Sequence, residues 1–244
     1  MRCAILADIH GNLAAFEAVL EDVERRGGFD EIWCLGDVVG YGPDPSACVQ
    51  LLRQHRHICI AGNHDWAAIG NIDTSYFNPY AAAAAHWTAE HLAPEDIDYL
   101  RSLPQTVQRD DFTLAHGSPR EPIWEYVLST EVARVNFSYF DTRFCLIGHS
   151  HVPVVFALGE AHHCELRQLP DELLLSQERD RLIINCGAVG QPRDGDPRAS
   201  YAILDTEKLT MDHYRVVYDI AATQDKILKA GLPPRLAHRL SQGW

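Results

Sequence analysis

The first hundred residues alternate between short apolar runs and longer segments with helical periodicity. Apolar runs of strand length occupy residues 2–7, 31–35 and 57–61. Between them, Asn12 is placed to cap a helix that extends to about Arg26, and Pro45 opens a second helix over 45–55. Strands and helices that alternate in this way are typical of βαβ units, so this half of the chain predicts a mainly parallel sheet.

The pattern changes after this alternating region. Residues 78–103 hold an uninterrupted alanine run and a second segment opened by Pro94, which together predict a small helical insertion. Further apolar runs predict strands at 105–109, 112–115, 143–147, 153–157, 162–166, 181–185, 200–204 and 209–217. The last of these strands are expected to be antiparallel. Two short helices within about 220–241, separated by Gly231 and a Pro-Pro pair, are predicted to close the chain.

Length and composition narrow the class of protein. A chain of 244 residues without a readable linker predicts a single α/β domain over 1–244. The formal net charge is −13, which disfavours nucleic acid and anionic membranes as partners. The seven cysteines form no Cys-x-x-Cys pair and lie mostly in apolar runs, which is typical of a reducing compartment. With no apolar run near the roughly 18 residues of a membrane span, we expect a cytoplasmic protein.

Five polar clusters stand out because each follows an apolar run. They are Asp8-Ile9-His10, Gly36-Asp37, Gly62-Asn63-His64-Asp65, His116-Gly117 and Gly148-His149-Ser150-His151. Sheets of α/β proteins place their functional sites at such strand ends. Carboxylate, imidazole and amide oxygen are ligands of divalent metal ions, and the absence of Cys and Met from the clusters disfavours copper and iron–sulfur chemistry.

The spacing within the clusters suggests how the side chains share ions. In an extended segment, residues two apart point to the same side, so Asp8 and His10 can reach one ion together. His149 and His151 can do the same if their loop bends between two ions. A single Asp-x-His after a strand is more often a turn or a cap. Seven candidate ligands, however, exceed the need of one four-coordinate ion, and two ions about 4 Å apart with a shared carboxylate would use them all.

Taken in order, the five clusters resemble the motifs of the calcineurin-like metallophosphoesterase family, over roughly residues 1–205. Within that family the chain is most similar to compact bacterial and archaeal phosphoesterases, through residues 8–13 and 187–193. The resemblance implies an α/β fold of two packed mixed β-sheets flanked by helices, that is, a four-layer αββα sandwich. This fold agrees with an alternating first half and a strand-rich second half.

The resemblance also implies roles for these side chains. It implies one divalent ion held by Asp8, His10 and His151, a second held by Asn63, His116 and His149, and a bridge formed by Asp37. It leaves His64 unligated as the catalytic residue that protonates the leaving oxygen or stabilises it as a cation. Manganese is the metal we expect first, and iron, zinc and cobalt also fit this ligand set.

One departure from the family bears on the substrate. Its protein phosphatases carry an Asp that orients the catalytic His and an Arg that grips phosphate, and this chain has Gly40 and Tyr41 there. Hydrolysis of phosphodiesters or nucleotide phosphoanhydrides, with dinucleoside polyphosphates among the candidates, is therefore favoured. A phosphomonoesterase or protein phosphatase is the alternative enzyme, and a non-catalytic scaffold of the same fold is the alternative outside enzymes. Asp65 and Asp44 are the candidates to orient His64.

Further residues are candidates for contact with a small phosphoester or nucleotide substrate. Arg193 and Arg198 flank a turn, where they could clamp phosphate or serve as solvated ion-pair partners. Trp124 and Tyr126 follow the His116 cluster, where their rings could stack on a nucleobase or pack as part of a lid or the core.

Overall fold

A computed structural model describes residues 1–160 and 163–244. The strands are β1 (Arg2–Leu6), β2 (Glu31–Cys34), β3 (His57–Cys59), β4 (Thr106–Arg109), β5 (Phe112–Ala115), β6 (Phe144–Ile147), β7 (Val154–Leu158), β8 (Cys164–Arg167), β9 (Glu172–Leu173), β10 (Arg181–Asn185), β11 (Ala199–Asp205) and β12 (Thr210–Val216). The helices are α1 (Leu13–Arg25), α2 (Pro45–Arg53), α3 (Asn63–Ala68), α4 (Pro79–His91), α5 (Pro94–Ser102), α6 (Thr130–Asn136), α7 (Ile220–Lys229) and α8 (Pro234–His238), with 3₁₀ turns at Thr74–Tyr76 and Arg239–Gln242.

In the described part of the chain, these strands form two six-stranded mixed sheets. The first sheet has the order β3-β2-β1-β11-β12-β9 and the second has the order β4-β5-β6-β10-β7-β8. Strands β1, β2 and β3 are parallel to one another, and so are β5, β6 and β10. The closing pair β11–β12 is antiparallel, as its sequence suggested. The two sheets confirm the fold that the resemblance implied.

The alternation of side chains along β1 shows how the sheets are layered. Cys3 and Ile5 belong to the apolar cluster that holds Phe144 of the second sheet, so this cluster fills the space between the sheets. Ala4 and Leu6 point the other way and pack in a cluster with Phe16 of α1. The far face of the second sheet packs against α6. The order of layers is therefore helix, sheet, sheet, helix.

Most predicted elements are found within a few residues of their expected bounds. Asn12 caps α1 by accepting a hydrogen bond from the Ala15 N–H, and the segment 78–103 contains α4 and α5. The strand expected at 162–166 is observed as β8, while His162 lies outside the described residues. Three elements were not predicted: α3, α6 and β9. They have two to seven residues each, which is too short to show a hydrophobic period.

The parallel strands bring the polar clusters together at one edge of the fold. The carboxyl ends of β1 and β2 in one sheet lie beside those of β5 and β6 in the other, because the polar segments after these four strands contact one another. Among the described helices, none has the length and apolar character needed to cross a membrane.

Candidate metal centre

Two groups of buried polar side chains meet at this edge. The first group contains Asp8, His10 and His151, and its ligand atoms lie within 4.8 Å of one another. Asp8 Oδ1 is 3.3 Å from His151 Nε2, and the Nε2 atoms of His10 and His151 are 3.1 Å apart. All three side chains are at most 2% exposed, so they are removed from water.

The second group contains Asp37, His116 and His149, again within 4.8 Å, with Asn63 beside it. Asn63 Oδ1 is 3.1 Å from His116 Nε2, and Asp37 Oδ2 is 3.4 Å from the same nitrogen. Asp37 Oδ2 is also 3.6 Å from His10 Nε2 in the first group. Asp37 thus lies between the two groups, and its buried Oδ2 has no hydrogen-bond partner among the residues that the structure describes.

The four imidazoles are each held by a backbone carbonyl on the side away from the centre. The contacts are His10 Nδ1 to Val39 O (3.1 Å), His116 Nδ1 to Leu35 O (2.8 Å), His151 Nδ1 to Gln191 O (2.5 Å) and His149 Nε2 to Trp124 O (3.2 Å). A ring N–H that donates to a carbonyl leaves the other ring nitrogen as a lone-pair acceptor. This arrangement is typical of metal-ligating histidines, whose second nitrogen is fixed by an outer partner.

The backbone at the site is strained, and this corrects one sequence inference. Asp8, His10, Asp37, His149 and His151 all have φ between 52° and 65°, the left-handed region that side chains other than glycine rarely adopt. Asp8 and His10 therefore reach the same group from a turn, and the extended segment predicted for them is wrong. Such strain typically costs about 1–3 kcal/mol per residue and clusters at functional sites. Here it is imposed by the contacts that orient the ligands.

Asp65 holds the loop that carries Asp37. Its carboxylate accepts hydrogen bonds from the N–H groups of Asp37 (2.8 Å), Val39 (3.1 Å) and Gly62 (3.0 Å). The expectation that Asp65 orients His64 is thus wrong, because both carboxylate oxygens are engaged by this loop. Asp44 does not do so either, since it forms a salt bridge with Lys226.

The charges of the site favour a bound cation. Burial raises the pKa of Asp8 to about 7, whereas neighbouring imidazoles, His116 first, hold the pKa of Asp37 below its ordinary range despite burial. Burial lowers the pKa of His10 and His151, which keeps both rings neutral and able to act as ligands. The Asp37 charge raises the pKa of His116 to about 10 against the effect of burial, so this carboxylate demands a positive partner. Together with the orphaned Asp37 Oδ2, the donor set fits divalent metal ions.

His64 lies beside the two groups and lines a cavity of about 230 Å³. Its ring stacks on Phe77 at 4.8 Å between centroids, and within the described part of the chain its buried Nδ1 has no hydrogen-bond partner. A β-carbon built at Gly40 would lie 2.6 Å from this Nδ1, so residue 40 is next to the ring, as the family motif implied, but supplies no carboxylate. Burial lowers the pKa of His64 to about 4, with Asp37 opposing the shift.

Three of the four candidate substrate contacts, Arg193, Trp124 and Tyr126, line the same cavity, whereas Arg198 lines a separate one. Arg193 donates to Gln191 Oε1 (2.9 Å), whereas Arg198 forms a salt bridge with Asp196. The Tyr126 ring stacks on His149 at 3.8 Å between centroids, and the Trp124 ring packs against Phe77 at 5.2 Å. The cavity thus combines one arginine with aromatic walls.

Several residues of the site were not singled out from the sequence. Glu125 accepts hydrogen bonds from Ser118 Oγ and Asn136 Nδ2, both at 2.7 Å, and so fixes the loop of Trp124 and Tyr126. Phe77 belongs to a segment without a motif, so nothing in the sequence around it indicated that its ring packs against His64. Asp65 was singled out from the sequence, but as a partner of His64, and its hydrogen bonds to the loop of Asp37 were not predicted.

Paired groups of buried carboxylates and imidazoles at the ends of parallel strands define an α/β protein with a candidate metal-binding site. The chain belongs to the calcineurin-like phosphoesterase superfamily, whose domain model matches residues 1–209. This is a family of metal-dependent hydrolases of phosphoesters. The chain is 46% identical to a metallophosphoesterase from Sphaerobacter thermophilus, with a TM-score of 0.89 over 100% of this chain and 99% of the other.

Two relatives known from their sequences extend the comparison. An uncharacterised protein of Methanocaldococcus jannaschii is 39% identical over 245 residues, which cover 98% of this chain and 97% of that protein. A symmetrical bis(5'-nucleosyl)-tetraphosphatase of Haemophilus ducreyi is 25% identical over 142 residues. That match covers 55% of this chain and 51% of the tetraphosphatase, so the chain spans about half the length of this relative.

Proposed function

We propose that this protein hydrolyses phosphodiester or nucleotide phosphoanhydride bonds with two divalent metal ions at the paired Asp/His groups. The observation that carries the proposal is the position of Asp37, whose unpartnered Oδ2 lies 3.6 Å from His10 Nε2 and 3.4 Å from His116 Nε2. A carboxylate between two ligand groups is suited to bridge two ions. A single ion would leave one of the two groups without a cation.

In this proposal, Asp8, His10 and His151 would hold one ion, Asn63, His116 and His149 would hold the other, and Asp37 would be shared between them. Bound divalent ions would activate the attacking water and offset the charge of the phosphoryl oxygens. Manganese is our first choice, and iron, zinc and cobalt are compatible with the same ligands. The carbonyl partners of the four imidazoles supply orientation, because they fix which ring nitrogen faces the centre.

We assign His64 to the leaving oxygen. Its Nδ1 lies against Gly40, so Nε2 is the ring atom that we assign to donate a hydrogen bond and a proton toward the cavity. Burial alone favours the neutral ring, and a bound anionic phosphoryl group would favour the charged form. Arg193 is positioned to bind a phosphoryl oxygen. Trp124 and Tyr126 are positioned to form the wall around the group attached to the phosphoryl group.

Features of the site and the relatives support this substrate class. Position 40 has no acid and position 41 has no arginine, although both residues lie next to His64, and this disfavours a protein phosphatase. The partial similarity to a symmetrical bis(5'-nucleosyl)-tetraphosphatase makes dinucleoside polyphosphates the first nucleotides to test. A small phosphoester or nucleotide is thus the proposed partner.

A hydrolysis panel on the manganese-loaded protein tests the proposal. It compares bis(p-nitrophenyl) phosphate, p-nitrophenyl phosphate, a dinucleoside tetraphosphate and a phosphopeptide at equal concentration. We expect the diester or the tetraphosphate to be the best substrate. Phosphopeptide or monoester turnover well above both would favour the alternative, a phosphomonoesterase or protein phosphatase. Absence of turnover with all four would favour a non-catalytic scaffold.

A further inference from the structure

A second cavity adjoins the metal cavity on the side of the carboxyl-terminal helices. It measures about 630 Å³ and lies between the start of α4 and the segment formed by α8 and the following 3₁₀ turn. Tyr41 and Asn78 line both cavities, so the two spaces share a wall. The metal cavity, at about 230 Å³, is smaller than the roughly 300–1,000 Å³ of typical small-molecule sites. It accommodates a phosphoester group, and the larger remainder of a nucleotide needs adjoining space.

The second cavity is positively charged in an acidic protein. Arg235, Arg239 and His238 line it, and no Asp or Glu side chain is among the described residues that form its lining. Considering residues 1–160 and 163–244 only, Arg193, Arg235 and Arg239 take part in none of the salt bridges with carboxylate side chains. With a net charge of −13, acidic partners are plentiful elsewhere on the chain. Within the described ranges, Arg193 and Arg235, and the Nη groups of Arg239, are free of such side-chain partners and are suited to bind an external anion.

The arginines are held in place by aromatic rings. The guanidinium carbons of Arg193 and Arg239 lie 5.8 and 5.9 Å from the centroid of the Tyr41 ring. Arg239 also donates its Nε–H to an oxygen of the Trp244 main-chain carboxylate at the end of this chain, which leaves its Nη groups to contact a ligand. Arg235 lies 5.4 Å from the Tyr80 ring centroid. Tyr41 therefore links the arginine of the metal cavity to the arginine of the second cavity.

The wall of the second cavity is preformed. Leu236 and Leu240 are buried in one apolar cluster with Ile227 of α7 and with Tyr41. The Gly195 N–H donates to the Gly243 carbonyl at 3.0 Å, which ties the last residues to the loop that follows Arg193. Binding in this space would therefore need little ordering of the backbone. Tyr80 and Trp244 remain 43% and 66% exposed, so their ring faces are available for stacking.

We propose that this second cavity is a subsite for the distal phosphates and the nucleoside of a nucleoside polyphosphate whose reacting phosphate lies at the metal centre. The inference rests on the proposed function and specifies its substrate class. Arg193 would contact the phosphate nearest the metals, and Arg239 and Arg235 would contact those further along the chain, since guanidinium groups match phosphate oxygens in charge and geometry. Tyr80 and Trp244 would stack on the base, which is sequence-tolerant because every base has a π-face.

The test compares a long and a short substrate in variants of the full-length protein. The variants are Arg239→Gln and Arg235→Gln, of which the second changes a more exposed residue. For each variant, kcat/KM is measured with diadenosine tetraphosphate and with bis(p-nitrophenyl) phosphate. Losing one charge-assisted contact should lower the tetraphosphate-to-diester ratio by about tenfold or more, mainly through KM. Arg179→Gln is the matched control, because Arg179 is exposed and lines neither cavity. Ratios within twofold of the wild-type value in both variants would overturn the subsite.

Binding separates this inference from the proposed function. Calorimetry measures the affinity of ATP for the chelator-treated protein, where no hydrolysis occurs. We expect both arginine variants to bind ATP about tenfold more weakly than the Arg179→Gln control. If the wild type hydrolyses no phosphoester but shows this difference, the proposed function fails and the subsite stands. Equal ATP affinity in all three variants, or no ATP binding by the wild type, would overturn the subsite.

Discussion

His10 and His151 direct their Nε2 atoms at each other across 3.1 Å, while their Nδ1 atoms contact the carbonyl oxygens of Val39 and Gln191. If each Nδ1–H donates to its carbonyl, both Nε2 atoms carry lone pairs, and two facing acceptors repel unless a cation lies between them. The pair is more than 97% buried, so water cannot relieve the conflict. The first predictions concern the cation that such a site requires.

Metal binding should stabilise the fold. A cation that binds the folded site and not the unfolded chain adds about 2.7 kcal/mol to the free energy of unfolding when its free concentration is 100 times Kd. We therefore expect Tm to rise on addition of manganese and to fall again with a chelator. His151→Ala should reduce the rise, while His238→Ala, at an exposed position away from the two groups, should not. A Tm that is indifferent to manganese would contradict a resident metal at this site.

Gly62→Ala should damage the centre by direct contact. A β-carbon at residue 62 would lie 2.0 Å from Asp37 Oδ1, and Asp37 is fixed there because Oδ1 also accepts the His64 N–H at 2.8 Å. The variant should bind manganese more weakly and lose most hydrolysis of bis(p-nitrophenyl) phosphate. Gly159→Ala is the control, since the three atoms nearest to its β-carbon would all belong to the Asp180 side chain, away from the centre. Wild-type metal content and activity in Gly62→Ala would show that Asp37 can move freely.

His64→Ala should separate chemistry from metal binding. Asn63 is in contact with His116, whereas the His64 ring packs on Phe77 and lines the cavity. The variant should keep its metals and its fold, and kcat should fall by about 10²–10⁴-fold, which is typical for loss of a general acid. The loss should be smaller for a substrate with a good leaving group. Near-normal kcat with metals present would remove His64 from the mechanism, and loss of metal would make it a ligand.

His213 should make stability depend on pH away from the active site. Burial lowers its pKa from 6.5 to about 4, assisted by Arg215 and opposed by Asp171 and Asp194. Above pH 6.5 the His213 ring is neutral in both the folded and the unfolded protein, so it does not change the free energy of unfolding with pH there. Between pH 6.5 and 4 the unfolded chain binds a proton that the folded protein does not, so stability falls as pH falls, by at most about 1.4 kcal/mol per pH unit.

Urea unfolding at pH 7.5 and pH 5.0 measures this contribution. His213→Gln retains a side chain able to bond with Ser200 Oγ, which is 2.8 Å from His213 Nε2. The variant should lose less stability than the wild type between the two pH values. An equal loss in both proteins would assign the pH dependence to other groups.

The sequence predicted the fold and the ligand types because both depend on local pattern. Apolar runs marked the strands, and the polar cluster after each run marked the shared edge, whereas the grouping of Asp8 with His151, which follow strands of different sheets, was implied by the resemblance to the family. The sequence could not predict the left-handed backbone at Asp8 and His10, since that conformation is imposed by hydrogen bonds to the neighbouring loop, such as His10 N–H to Asp37 O. It also could not place Phe77 against His64 or Arg239 against Tyr41, because these contacts join distant segments without a motif.

The most direct test of the central claim measures hydrolysis of bis(p-nitrophenyl) phosphate as manganese is added back to chelator-treated protein, with bound metal determined in the same samples. The two ligand groups and the position of Asp37 between them predict that activity reaches its maximum only when two ions are bound per chain. Asp37→Asn should weaken both ions together, since a neutral bridge offsets less positive charge. Full activity with one ion per chain, or no hydrolysis at any metal content, would contradict the account.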